Sequence, residues 1–394
     1  MNTRATGFDA RFWLLIGATF LGFLGIGTVL PALAPHIKHD LHGSDQVVGS
    51  VIGIFSFVAL GSRFFSGPLA DRRGRKITFL TGLASCALAG AVYVLPFGLS
   101  GAYTARVLQG FGEACLYTGA AAWAVELGGV ARSSQALGYV SSGIWGGISA
   151  GPVIGAFAGS FAHAAWFQLL AASSAFVLAL LVREDFHPHA RHERRPLKLS
   201  SLLIPGLAIG FVNVQYPVVA GFLILHLAQH GGVGRAAFST YALVILLSRF
   251  FLGSLPDRIQ PAITFYGGIT TMAVGLLIIA AAPSPALSIT AAGLLGLGFS
   301  FPWASVASTV LRRTPSERHG SVVSILSAFY DLFVGISSLA AGRVADRHGY
   351  SAAFVMAAVA LVGSAIAARF VFARPTKGTP ENESVSIEPA PELA

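Results

Sequence analysis

Charge is scarce in this chain. Of its 394 residues, 11% are Asp, Glu, Lys or Arg, whereas a soluble domain carries about a quarter, so the polar surface of a water-soluble fold of this size cannot be built. Cysteine is rarer still. Cys86 and Cys115 are the only two, both lie inside apolar runs, and two such residues supply neither a disulfide framework nor a Cys/His metal set. Basic residues outnumber acidic ones, 26 to 17, but they fall in short loops rather than among aromatics on a soluble face, which excludes nucleic acid as a partner. A phosphate-binding glycine loop is missing, which argues against direct ATP drive. No nucleophile, base or metal-ligand cluster shares one depth, so neither an enzyme, a cofactor nor a metal centre is expected. What the chain has instead is apolar residue: 54% of the total, with a mean hydropathy of +0.70. These gather into runs of roughly 20, the length a helix needs to cross a bilayer. The expected fold class is an all-α integral membrane protein.

Reading the runs between polar, Gly or Pro punctuation places twelve spans at 12–34, 47–67, 77–97, 101–125, 135–158, 163–183, 200–227, 236–255, 262–282, 286–311, 320–341 and 351–372. The first run follows Arg4 and Arg11 but is longer than a signal-peptide core, so it is kept as a span. With the N-terminus inside, nineteen Lys and Arg residues fall on cytoplasmic segments and four (Lys38, Arg235, Arg343, Arg347) on the other side. That asymmetry orients the chain with both termini cytoplasmic in a cell (inner) membrane. The remaining three basic residues lie at or within spans. The polar stretch 184–199, with His187, His189 and His192, reads as a basic linker beside the lipid headgroups. It divides a first bundle, 1–183, from a second, 200–374. The tail 375–394, rich in Pro, Glu and Ser, has a disordered composition.

The two bundles repeat each other. Arg63-Phe64-Phe65-Ser66-Gly67-Pro68-Leu69-Ala70-Asp71-Arg72 recurs as Arg249-Phe250-Phe251-Leu252-Gly253-Ser254-Leu255-Pro256-Asp257-Arg258, identical at seven of ten positions with an offset of 186. A parallel repeat of six spans implies two bundles related by an axis along the membrane normal, with a substrate site between them near the midplane.

The continuation of that segment, Gly67 to Lys76, resembles the signature loop between spans 2 and 3 of the major facilitator superfamily. Its glycines Gly67 and Gly74 permit a tight turn and close helix approach, Asp71 can accept hydrogen bonds at a neighbouring helix N-terminus, and the basic cluster with Arg72 and Arg75 has Glu126 as an acidic partner. The resemblance implies twelve spanning helices in two pseudo-symmetric six-helix bundles. It also implies that Asp71, Arg72 and Arg75, with their second copy at Asp257 and Arg258, latch one conformational state. Arg106-Val107-Leu108-Gln109-Gly110 in span 4 is similar to the family's Arg-x-x-Gln-Gly motif. The span 5 segment Gly147-Ile148-Ser149-Ala150-Gly151-Pro152-Val153-Ile154-Gly155-Ala156 resembles its antiporter motif, with alanine for the final glycine. Gly147, Gly151 and Gly155 make a smooth face for close packing, and Pro152 removes a backbone donor. Within the family this motif marks proton-coupled exporters of the drug branch.

Two acidic residues lie deep inside spans. At about 1.5 Å per residue Glu113 sits roughly 18 Å from the outer end of span 4, and Asp331 roughly 17 Å from the inner end of span 11. Burial favours the neutral carboxyl unless a cation partners it, as a proton carrier requires. Arg106, seven residues from Glu113, shares its helix face and is its expected partner. Gln109, Trp123, Trp145, Asn213, Gln215, Tyr216, Trp303, Phe329 and Tyr330 are candidates for the cavity wall. The expected function is export of a small organic molecule by proton antiport with alternating access; proton-coupled or facilitated uptake of a metabolite is the alternative. The expected partners are the substrate, protons and lipid, with the chain a monomer.

Overall fold

The computed structural model describes residues 8–129, 132–184, 199–252, 255–282, 284–315 and 318–373. The His-rich linker, the Pro375 tail, Gly253 and the Asp257 side chain lie outside the described residues. Those described form twelve helical rods: α1 (Ala10–Asp40), α2 (Asp45–Arg73), α3 (Arg75–Val94), α4 (Gly98–Gly128), α5 (Ser133–Phe157), α6 (Phe161–Leu181), α7 (Ser200–Ala228), α8 (Gly234–Leu252), α9 (Pro261–Ala281), α10 (Pro285–Leu311), α11 (His319–His348) and α12 (Tyr350–Phe372). Ten are long and apolar enough to cross a membrane; α4 and α5, diluted by glycine, serine and polar residues, fall outside that measure. A short helical turn, Leu255–Arg258, follows α8.

Several rods differ from the sequence expectation. The ends of α2, α4 and α11 run past the apolar runs, because capping and solvated polar turns extend a helix beyond its lipid-facing length. Ser44 Oγ, for instance, accepts from Val47 N at 3.3 Å at the start of α2. Three rods are interrupted: α1 at Val29, α7 at Val214 and α10 at Ser300–Phe301. Each break precedes a proline by one to three residues, Pro31, Pro217 or Pro302, whose missing N–H leaves the preceding turn a carbonyl short of a donor.

The repeat offset is visible in three dimensions. A side chain at Gly82 would strike the backbone of Gly112 on α4, and one at Gly268 the backbone of Gly298 on α10. Gly110 faces the Phe55 carbonyl and Gly296 the Tyr241 carbonyl. Each member of these pairs, like Pro31 and Pro217, is 186 residues from its mate. The two six-helix halves meet chiefly through α2 against α11 and α5 against α8.

Their contact is unequal at the two ends. At the Asp45 end, Ser338 Oγ donates to Gly49 O at 2.8 Å, Tyr350 OH donates to Asp45 Oδ1 at 3.1 Å, and a Cβ on Gly49 would lie 2.9 Å from Gly342 Cα. One apolar core joins both halves there, with Val29, Leu33, Val48 and Ile52 continuous with Val218 and Phe222. Toward the Arg72 end the first half keeps its own core, built on Phe12, Phe79 and Trp123. The halves are thus sealed together at one end and part toward the other.

Candidate functional site

Midway along the bundle a guanidinium joins the halves. Arg63 on α2 sends Nε to Asp331 Oδ2 on α11 at 2.9 Å, and its Nη2 lies 3.6 Å from Glu113 Oε2 on α4. Tyr117, one turn beyond Glu113, underlies the guanidinium at 5.2 Å. All three charged side chains are largely enclosed, at 14%, 13% and 6% exposure, and the buried Oε2 of Glu113 accepts no hydrogen bond. Two carboxylates thus share one cation, and the fully ionised cluster carries one excess negative charge. Enclosed ions are held together more strongly than surface pairs because little water screens them.

Arg106 is not the partner of Glu113. Its Nη1 donates to Gln109 Oε1 at 2.9 Å, its Nε and Nη2 point to the carbonyls of Val51 and Ile52 at 3.3 Å, and Phe55 stacks on it at 4.3 Å. Gln109 passes the chain on to Gln168 at 2.7 Å, and Gln168 to the Cys86 carbonyl at 3.0 Å. The reason is the helix crossing at Gly110, where α2 runs against α4 at Phe55. Arg106 lies on one side of that crossing among α2 carbonyls, while Glu113 lies on the other beside Arg63. Gln109 and Arg106 therefore tie the first half together rather than line a cavity. Trp123 is likewise fully buried, against Phe79. Phe329 fills the notch over Gly206.

The symmetry-related position looks different. Arg249, the mate of Arg63, faces Trp145, the mate of Asp331, with its Cζ 4.1 Å from the ring, and Phe299 stands where Glu113 has its copy. Here a narrow cavity of about 30 Å³ lies between the halves, bounded by Leu30, Trp145 and Ser149 from the first and by Tyr216, Tyr241, Arg249, Phe299 and Tyr330 from the second. A smaller space of about 10 Å³ lies past Arg249 toward Asn213 and Trp303. Of the expected wall residues, Trp145, Asn213, Tyr216, Trp303 and Tyr330 are brought together; Gln215 stands behind, its amide donating to Tyr241 OH at 3.3 Å. Arg63, Arg249, Tyr241 and Phe299 received no site role from sequence. The signal was present for the first two: with Arg106 they are the three basic residues that belong to no loop.

At the Arg72 end, Arg75 forms an ion pair with Glu126, its backbone N–H donates to Glu184 Oε1 at 2.6 Å, and Lys76 caps the Leu180 and Val182 carbonyls. Gly74 takes φ +108°, which L side chains rarely adopt, at the α2–α3 turn. Asp71 and Arg72 are exposed. Contrary to expectation, no hydrogen bond or ion pair to the Asp71 carboxylate occurs among the described residues, because the halves part at this end. Gly67 likewise has open space around it rather than a close helix. Arg258 is exposed at the end of its turn. On α5, side chains at Gly147, Gly151 and Gly155 would each collide with the α1 backbone between Phe20 and Thr28, and Pro152 abuts Gly27.

Twin helical halves closing on a mid-bundle cavity, with charge buried where they meet, define a membrane transporter of small solutes. The chain belongs to the major facilitator superfamily, whose model matches residues 15–234 and 206–392. It is 28% identical over 364 residues to an uncharacterized MFS-type transporter of Salmonella typhimurium, covering 89% of this chain and 93% of that one. To an uncharacterized MFS-type transporter of Burkholderia mallei it is 27% identical, covering 88% of each. Among solved structures its fold is similar to a nucleoside transporter, at TM-score 0.72 and 12% identity over 93% of this chain and all of that one. It also resembles the human organic anion transporter MFSD10, at TM-score 0.66 and 18% identity over 91% and 99%.

Proposed function

We propose that this transporter exports a small organic molecule in exchange for protons, by alternating access, across a cell (inner) membrane in which both termini are cytoplasmic. The observation that carries the reading is the Arg63 clamp between Glu113 and Asp331. A proton on either carboxyl cancels the one excess charge and leaves Arg63 a single anionic partner. Because Asp331 belongs to the other half, the same proton alters what holds the halves together. Chemistry and motion are thereby linked through one side chain, as antiport demands. With the positive-inside orientation, the sealed Asp45 end is the outer one and the structure faces inward. The exposed Asp71 then belongs to a latch that is released in this state and engages when the inner ends close.

Glu113 is the primary proton site, and Asp331, bonded directly to Arg63, is the second. In proteoliposomes loaded with a pH-reporting dye, Glu113→Gln abolishes substrate accumulation driven by a pH difference while substrate exchange without a gradient continues. Asp331→Asn weakens both. Undiminished uphill accumulation by Glu113→Gln would show that the proton travels elsewhere.

A further inference from the structure

The two other arginines within the spans, Arg106 and Arg249, are not equivalent. Arg106 spends its donors on Gln109 and two carbonyls. Arg249 has no such set: its buried Nε lacks any hydrogen-bond partner, and its guanidinium lies over the face of Trp145. Among the described residues it is the one charged side chain lining either part of the cavity. The carboxylates that flank Arg63 have been replaced at the related positions by Trp145 and Phe299, so the second half keeps the cation and supplies no anion to it. A guanidinium enclosed by aromatics and short of donors' partners is expensive in a membrane interior unless something negative joins it.

We infer that Arg249 is the counter-ion of the substrate, and that the transported class is an organic monoanion with a flat apolar body, such as an aromatic carboxylate. This deepens the reading of the chain as a transporter and rests on it. The guanidinium fork matches a carboxylate in two parallel hydrogen bonds, while Trp145, Tyr216, Tyr330 and Phe299 offer rings for the apolar part. The space open in this state is about 30 Å³, so the rings of Trp145, Tyr216 and Tyr330 must part to admit the apolar body, as alternating access provides. Glu113 and Asp331 do not select a cation, because Arg63 already occupies them; the unpaired charge facing the cavity is positive.

The test compares three probes of one shape: 1-naphthoate, its neutral amide, and 1-naphthylmethylammonium. Each is titrated by calorimetry into the purified full chain in nanodiscs at a single pH. Naphthoate binds at least tenfold tighter than either of the others. Arg249→Gln lowers naphthoate affinity tenfold or more, to the level of the amide, and Arg249→Lys retains part of the preference. Equal or tighter binding of the amide or the ammonium compound to the wild-type protein overturns the inference, as does absence of naphthoate binding at millimolar concentration. The wild-type ranking decides even where Arg249→Gln does not fold. Since the ranking is read on the wild-type protein with no gradient applied, while the proton assignment is read as uphill accumulation, failure of the one and failure of the other are distinguishable.

Discussion

The seal at the Asp45 end can be pried open by one side chain. A Cβ on Gly49 meets the Ser338 carbonyl and lies 2.9 Å from Gly342 Cα, so Gly49→Leu cannot be accommodated while α2 and α11 touch. Overpacking of this kind costs about 1–3 kcal/mol. The Ser338 hydroxyl also loses its bond to the Gly49 carbonyl, worth about 0.5–1.5 kcal/mol. Together these destabilise the sealed state by about 2–4 kcal/mol relative to one in which the outer ends separate. At about 1.4 kcal/mol per tenfold, the population moves by thirtyfold to several hundredfold. Spin labels at His39 and Arg347, both exposed and on opposite halves, report it by pulsed electron resonance after Cys86 and Cys115 are replaced. Wild type gives mainly the short outer distance; Gly49→Leu gives mainly a longer one, with a matching approach between labels at Arg73 and Arg312. A folded, inserted Gly49→Leu protein with the wild-type outer distance would mean that this contact does not close the transporter.

Removing Arg106 takes a donor from Gln109 and from two α2 carbonyls inside the first half, so Arg106→Ala lowers stability by about 1–3 kcal/mol, read as an early thermal transition in detergent. Asp71→Asn leaves insertion and expression unchanged but slows turnover five- to 150-fold, the span of a 1–3 kcal/mol coupling, in a transport assay. Glu126→Gln breaks a partly buried pair and costs about 1 kcal/mol in the same thermal assay. Reporter fusions read inside after Lys76, Lys198 and Lys377, and outside near Lys38 and Gly231; an outside reading at Lys198 breaks the six-plus-six arrangement.

The bundle was legible because lipid imposes a length and an apolar composition on every span, and because duplication left an offset that Arg63-Phe64-Phe65 and Arg249-Phe250-Phe251 still share. The pairing inside the site was not. Periodicity puts Arg106 and Glu113 on one face of α4, and a helix wheel carries no information about α2 crossing between them. The crossing point, set by the missing side chain of Gly110, decides which neighbour each one meets. Arg63 and Arg249 stand near the C-terminal ends of their runs, where a basic residue ordinarily reaches to the headgroups, so their course into the bundle shows only once α11 and α5 are seen against them.

The exchange of carboxylates for aromatics between the two related sites gives the transporter an electrical character. In the proposed cycle the Arg63 cluster offers one negative charge for a proton to neutralise, and Arg249 one positive charge for an anion to neutralise. A cycle that brings a proton in and takes a monoanion out therefore moves two charges in the same electrical sense. Each is worth about 2.3 kcal/mol per 100 mV of membrane potential. A cell negative inside drives both steps of such a cycle by voltage alone, even where the pH on the two faces is equal, and collapsing that voltage with a potassium ionophore slows the pump.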